Sequence, residues 1–488
     1  MQLRKYIISF LFLGGMFSFS GCDGIFRDVP NDKLSQESIW GSQLLLDEYV
    51  LPWYRNMSNG FSVYMPATAL LKGASRDYLP WYGDQITVSK SDWYNTAYGD
   101  ILKSTPAEVT RRGLINWTNY YTRIQSINLL FENQDKIRNG DHKKRVLGEA
   151  HFFRAYYYYM LLRQFGGVLL LKNNYDPLHD GTKFPRASYE EMVNFIAEEA
   201  DLAASLLSEE LSPRDIGRAT RGAALMLKAK TYFWAASKIY QNQEKSYLGF
   251  PDDRSDAMLT AAAKAYDELM KLPYSLMQIT GSTQDQIKEQ YRQIFLTKNS
   301  QESIWEVQHS NDGDFSNGFG HKLDRESVSP YYGGTVAAYS PTQNHVDEYG
   351  MRDGKAYDAK HPYDNRDYRF YANVLYDGCT FRGRVMEIHY NKVNGKEVAG
   401  EDLTPYGTSE TAAVTKTGYY LGKFVDETQK IDNDESYASK QNYIIWRYAE
   451  VLLDYAEIDF LQNRVDDALD KVNQIRRRVH MDELPSLT

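Results

Sequence analysis

The sequence predicts a mainly α fold: tetratricopeptide-like helical hairpins, about four, form a right-handed α–α scaffold that carries a long, irregular, loop-rich insert. Three observations predict it. Residues 148–171, GEAHFFRAYYYYMLLRQFGGVLLL, continue an apolar series through Val146, Ala150, Phe153, Tyr157 and Leu161 at the spacing of one helix face. The small-residue layout of that run returns in 221–235 (RGAALMLKAKTYFWA) and 447–460 (RYAEVLLDYAEIDF), where Ala229 and Ala456 stand as Ala155 does; Ala155 and Ala229 are 74 positions apart, close to two periods of roughly 34 residues each. Between residues 301 and 440, by contrast, no helical period is sustained.

The chain divides accordingly. Residues 1–21 have a basic start at Arg4 and Lys5 and an apolar run to Phe19 too short to span a bilayer of about 30 Å; they end before Cys22. This pattern reads as a bacterial lipoprotein signal peptide whose removal leaves Cys22 as an acylated N-terminus, so lipid holds the protein to a membrane. Asp23, Asp28 and Asp32 give the tether, residues 22–36, an acidic cast compatible with export to the cell surface. A helical repeat domain follows over 37–300. It opens with a helix over 37–57, interrupted at Pro52, and an aromatic loop over 58–105 in which Pro80, Gly83 and Gly99 oppose regular structure. An amphipathic helix over 116–136, with Tyr120, Ile124, Ile127 and Phe131 on one face, turns at Asn139-Gly140 into the organising helix and makes the first hairpin. In that second helix Gly148, Ala150 and Ala155 admit a close neighbour, four consecutive tyrosines spread aromatic surface round the cylinder, and Gly166-Gly167 supplies the stop.

The second hairpin joins 188–207 to 220–240 across a break near Pro213; its first helix sets a polar face of Glu190, Glu191, Glu198 and Glu199 against Met192, Phe195, Ile196 and Leu202. Residues 256–271 and 284–295 form a third pair, and 443–462 with 465–479 the fourth, within a terminal segment 441–488. The loop-rich insert subdomain, 301–440, begins with a short strand over 302–308 and continues as a polar, Gly-rich run. Its Tyr331, Tyr332 and Tyr339 and the turn at Asp353-Gly354 argue for an ordered subdomain.

Composition narrows function. With 42% hydrophobic residues over 488 positions the chain can bury a large core, and its net charge of −9, which becomes −11 once residues 1–21 are removed, argues against a nucleic-acid partner. Cys22 and Cys379 are the only cysteines, so no disulfide framework is expected. The nucleophile-elbow, zinc-helix, Cys-x-x-Cys, phosphate-loop and dinucleotide motifs do not occur, so no cofactor is implied. Residues 312–323 approach a calcium loop, but Asn317 stands where glycine is needed and Leu323 where the bidentate glutamate belongs; the stretch reads as a polar loop, and no metal site is expected. His142, His151, His345, His361 and His389 have no ligand spacing.

The runs 148–171 and 447–460, with DALDKVNQIRRR at 467–478, resemble signature runs of the SusD/RagB family, as do PTQNHVDEYGMRDGK at 341–355 and NRDYR at 365–369. The resemblance implies a non-enzymatic, outer-membrane lipoprotein facing the cell exterior that binds oligosaccharide or polysaccharide nutrients and delivers them to a TonB-dependent, SusC-like transporter. Members of the family usually continue with further helices where this chain ends at Thr488, so against that resemblance the chain reads as either a truncated product or a divergent member. The other functional class, a membrane-tethered glycan-cleaving enzyme, rests only on ring-rich loops and abundant acids. For the binding protein, the expected ligand site is Trp81, Tyr82, Trp93 and Tyr94, with Asp84 and Asn95 beside them, and Asp312, Tyr331 and Tyr332 of the insert on the opposite wall. A sugar's apolar C–H face lies on an aromatic ring while its hydroxyls need polar side chains at the edge.

Overall fold

The computed structural model describes residues 36–55, 57, 86–87, 117–175, 184–310, 320–334, 337, 339–405, 414–429, 431 and 439–487. Cys22, the signal, the tether apart from Gln36, and the aromatic stretch apart from residues 86–87 lie outside the described residues.

The organising helix is Asp141–Phe165. Val146, Ala150, Phe153, Tyr157 and Leu161 are all buried, as the period predicts, and so are all four consecutive tyrosines. Tyr157 Oη donates to the Trp53 carbonyl at 2.6 Å, and Tyr158 Oη accepts from the Leu171 amide at 2.7 Å, so buried hydroxyls are satisfied by backbone groups of neighbouring segments. Gly148 sets the approach of the next helix, Tyr189–Leu206: a Cβ there would lie 2.8 Å from the Leu207 side chain. The stop works as read. Gly166 has φ +69°, and a Cβ on Gly167 would lie 1.9 Å from the Ala187 carbonyl oxygen.

Around this helix the elements stack mostly as the sequence predicts. Trp117–Glu132 packs on Asp141–Phe165. Tyr189–Leu206 begins with a capping box between Ser188 and Glu191 and packs on both Asp141–Phe165 and Arg221–Ala235. Ser255–Leu269 follows against Arg221–Ala235, and Tyr448–Leu461 pairs with Val465–Arg478. The fold is thus mainly α and of the tetratricopeptide type.

Five local expectations are corrected. The first helical segment breaks at Ser42, between Gln36–Gly41 and Gln43–Arg55, and continues through Pro52. Pro52 lies near the helix end, and the helix is held on both sides of it by Tyr49 Oη and Trp53 Nε1, which donate to the Ser126 carbonyl and hydroxyl at 2.7 and 2.8 Å. Glu199 does not belong to a polar face. It is 4% exposed and receives Arg154 through two contacts of 2.7 and 2.8 Å and His151 at 2.9 Å, while Arg154 also donates to Asn128 at 2.9 Å, tying three helices together. Leu202, expected inside, is 46% exposed. Gln284–Leu296 packs on Tyr368–Asn373 and shares a core with Ala372, Val479 and Met481; it does not pair with Ser255–Leu269, whose face is met by Tyr448–Leu461. That contact is pinned by Tyr266 Oη donating to Asp454 at 2.6 Å, with Lys230 at 2.9 Å from the same carboxylate. Tyr443–Arg447 is a strand, not helix, and runs antiparallel to Ser303–Val307, the strand the sequence predicts. Trp305 and Trp446 face each other across this pair at 5.5 Å and seal it onto Phe152 and Tyr156.

The described part of the insert has its own core of Val328, Leu375, Phe381, Met386, Ile388, Tyr420 and Val425. Short helices and two-residue strand pairs surround it, among them Thr380–Phe381 against Arg384–Val385, and Val374–Leu375 against Tyr420–Leu421.

Candidate functional site

The insert presents a ring platform at residues 329–334. It starts from Ser329-Pro330-Tyr331-Tyr332-Gly333-Gly334, in which Pro330–Tyr332 forms a 3₁₀ turn and Gly333, at φ +82°, ends it in the left-handed region. Gly334 must also be glycine, because a Cβ would lie 1.9 Å from the Val328 carbonyl oxygen. The tight turn sets the two rings edge to face at 5.0 Å.

Their surroundings differ. Tyr332 is anchored: its hydroxyl donates to the Phe381 carbonyl at 3.0 Å and its ring meets Phe381 edge to face at 4.9 Å. Burial raises its pKa above the ordinary tyrosine value. Tyr331 is 46% exposed, and the Arg384 guanidinium lies 4.0 Å from its ring centre. Arg384 reaches this position from the strand pair that Arg382 (φ +48°) and Gly383 (φ +78°) close as a tight turn. Its charge is met by Asp402, which is fully buried and also accepts from the Ser329 hydroxyl at 2.5 Å and the Glu387 amide at 2.8 Å. The result is an exposed ring on a rigid mount whose nearest cation is already neutralised, suited to an uncharged ligand with a flat apolar face.

Of the expected site residues, Tyr331 and Tyr332 are brought together, whereas Trp81, Tyr82, Asp84, Trp93, Tyr94, Asn95 and Asp312 lie outside the described residues. One link to the aromatic stretch is described: Ile86–Thr87 runs antiparallel to Ser340–Pro341 of the insert, with Ile86 opposite Pro341 and Thr87 opposite Ser340. Sequence reading missed Arg384 and Asp402, whose partners lie tens of residues away with no periodic signal. The runs 341–355 and 365–369 serve architecture. Thr342 caps Gln343–Asp347, Arg366 is buried and donates to the Tyr349 and Pro362 carbonyls at 2.8 and 2.9 Å, and Asp367 caps Tyr368–Asn373. Among the described residues no group of three or more His, Cys, Asp or Glu could hold a metal ion, and no helix is long and apolar enough to cross a membrane.

Residues 301–487 match the family model described as the SusD family, and residues 28–233 match the model described as starch-binding associating with outer membrane. No curated protein matches the chain. Among solved structures, the fold is similar to a SusD-like protein from Bacteroides fragilis (24% identity, 93% of this chain and 82% of that one, TM-score 0.70). A SusD-like carbohydrate binding protein from the same species is also similar (20% identity, 92% and 81%, TM-score 0.68). So is surface glycan-binding protein A from Bacteroides fluxus (18% identity, 91% and 83%, TM-score 0.58).

Proposed function

Because the chain belongs to the SusD/RagB family, we propose that it is a non-catalytic, lipid-anchored protein of the outer membrane, facing the cell exterior, that binds a glycan and delivers it to a TonB-dependent, SusC-like transporter. The starch-binding and outer-membrane wording of the second matching model supports both the ligand class and the compartment, and the carbohydrate-binding and surface glycan-binding neighbours support the former. Anchoring through Cys22 rests on the short apolar run that ends before it.

The observation that carries the site is the pairing of Ile86–Thr87 with Ser340–Pro341, which ties the middle of the aromatic stretch to the insert that bears Tyr331. On this reading Tyr331 stacks on a sugar ring, Tyr332 and Arg384 hold it in place, and Trp81, Tyr82, Trp93 and Tyr94, with Asp84, Asn95 and Asp312, contribute the remaining rings and hydrogen-bonding groups by composition. Incubating purified protein with polysaccharides tests it. Retention without new reducing ends is expected; release of new reducing ends makes the protein an enzyme. Gentle detergent extraction and pull-down should recover a β-barrel of the transporter class, and recovery of the lipoprotein alone, even after crosslinking, counts against delivery.

A further inference from the structure

A groove of about 370 Å³ lies between helix Tyr189–Leu206 and the residues at 170–172 and 184–187. We propose that it is a second sugar-binding site, taking one or two units of a neutral glycan. The volume falls within the range of about 300–1,000 Å³ usual for small-molecule sites.

Its walls are built independently of any ligand. One is a helix face on which Glu191, Asn194, Phe195 and Glu198 recur at i, i+3, i+4 and i+7. The other is held by the bridge between Leu169 and Arg186. Arg186 is committed to that wall: it donates to the Gly167 and Phe165 carbonyls, and its guanidinium lies 4.0 Å from the Tyr247 ring centre. Phe195 is buried at the floor, with the Lys172 ammonium 5.2 Å from its ring centre. Phe184 stands at the rim, 39% exposed, steadied edge-on by Tyr175 at 5.5 Å.

The chemistry selects the ligand. Asn194 and Glu198 are exposed on the helix wall, so an amide and a carboxylate line the groove together with the exposed Phe184 ring. A carboxylate can accept from two adjacent hydroxyls of one sugar, while the ring takes its C–H face. Glu191 and Glu198 are balanced in the lining by Lys172 and Arg186, which favours an uncharged polyol over an anion or a basic peptide. This reading does not depend on the insert platform.

The test measures retention of malto-, cello-, manno- and xylo-oligosaccharides, with oligogalacturonate and heparin fragments as acidic comparators, by wild type, Phe184→Ala, Glu198→Gln and Tyr331→Ala. At least one neutral oligosaccharide should bind roughly tenfold more weakly to Phe184→Ala, and more weakly to Glu198→Gln, with unchanged melting because both side chains are exposed. Neutral binding that is unaffected by both groove variants, or absent in wild type, overturns the groove. Loss in Tyr331→Ala alone overturns the groove and leaves the insert site standing; loss in the groove variants alone does the reverse.

Discussion

Arg384 lies with its guanidinium 4.0 Å from the centre of the Tyr331 ring while its charge is held by Asp402. A half-exposed ring is thereby stiffened by a cation that offers little net charge to a ligand. Removing Arg384 should be felt twice. In Arg384→Ala the buried Asp402 keeps, among the described residues, only Ser329 and Glu387 as donors, so stability should fall by about 2–3 kcal/mol in thermal or urea unfolding, and glycan retention should fall as well. Arg384→Lys should recover more stability than binding, because an ammonium lacks the flat face that stacks on the ring. Full retention of both properties in Arg384→Ala would remove the guanidinium from the account.

Glu302 joins the strand pair to the last hairpin. It is 1% exposed and receives Arg447 at 2.6 Å, Arg478 at 2.7 Å and the Met277 amide at 2.9 Å. Glu302→Gln leaves two arginines without their counter-charge, and a loss of roughly 3–5 kcal/mol is expected in denaturant unfolding. A change below about 1 kcal/mol would mean that this junction contributes little.

Lys423 gives a stability signal in mildly alkaline solution. Its ammonium lies 4.7 Å from the Phe295 ring centre, and burial, followed by the charge of Arg447, holds its pKa down at about 8 against an ordinary 10.5. Below pH 8 the lysine is charged in both states and folding bears the full cost. Between the two values the unfolded chain binds the proton more tightly, so this contribution to stability rises with pH, and above 10.5 the cost is gone. Lys423→Met should therefore be more stable than wild type at pH 7, by up to roughly 2–3 kcal/mol, with the gap closing through that window. A gap that does not change with pH would contradict the titration.

Cys22→Ala should move the protein from the membrane fraction to the soluble fraction. If the variant sediments with membranes as the parent does, the anchor lies elsewhere.

What was legible in the sequence follows from the range of the interactions. The organising helix could be read because its burial is a local period: Val146, Ala150, Phe153, Tyr157 and Leu161 recur on one face, and all are buried. Glu199 could not, since the arginine that draws it inside is 45 positions away on another helix. The stretch 443–447 carries apolar residues that suit a helix as well as a strand, and Ser303–Val307, some 140 positions upstream, decides the matter. Pro52 misplaces the first break because local propensity there is overruled by the burial of Val50 and Trp53. In the candidate site the same division holds. Tyr331 and Tyr332 announce themselves as neighbouring rings, whereas Arg384 and Asp402 reach them only through the folded insert.

The most direct test of the central claim is glycan binding by Tyr331→Ala beside Tyr332→Phe, with melting recorded for each. Tyr331→Ala removes an exposed platform; its melting should stay near that of wild type and its affinity should fall roughly tenfold. Tyr332→Phe loses the bond to the Phe381 carbonyl, worth about 1 kcal/mol of stability, and should keep most of the binding. Undiminished glycan affinity in a well-folded Tyr331→Ala protein would contradict the assignment of the insert platform as the site.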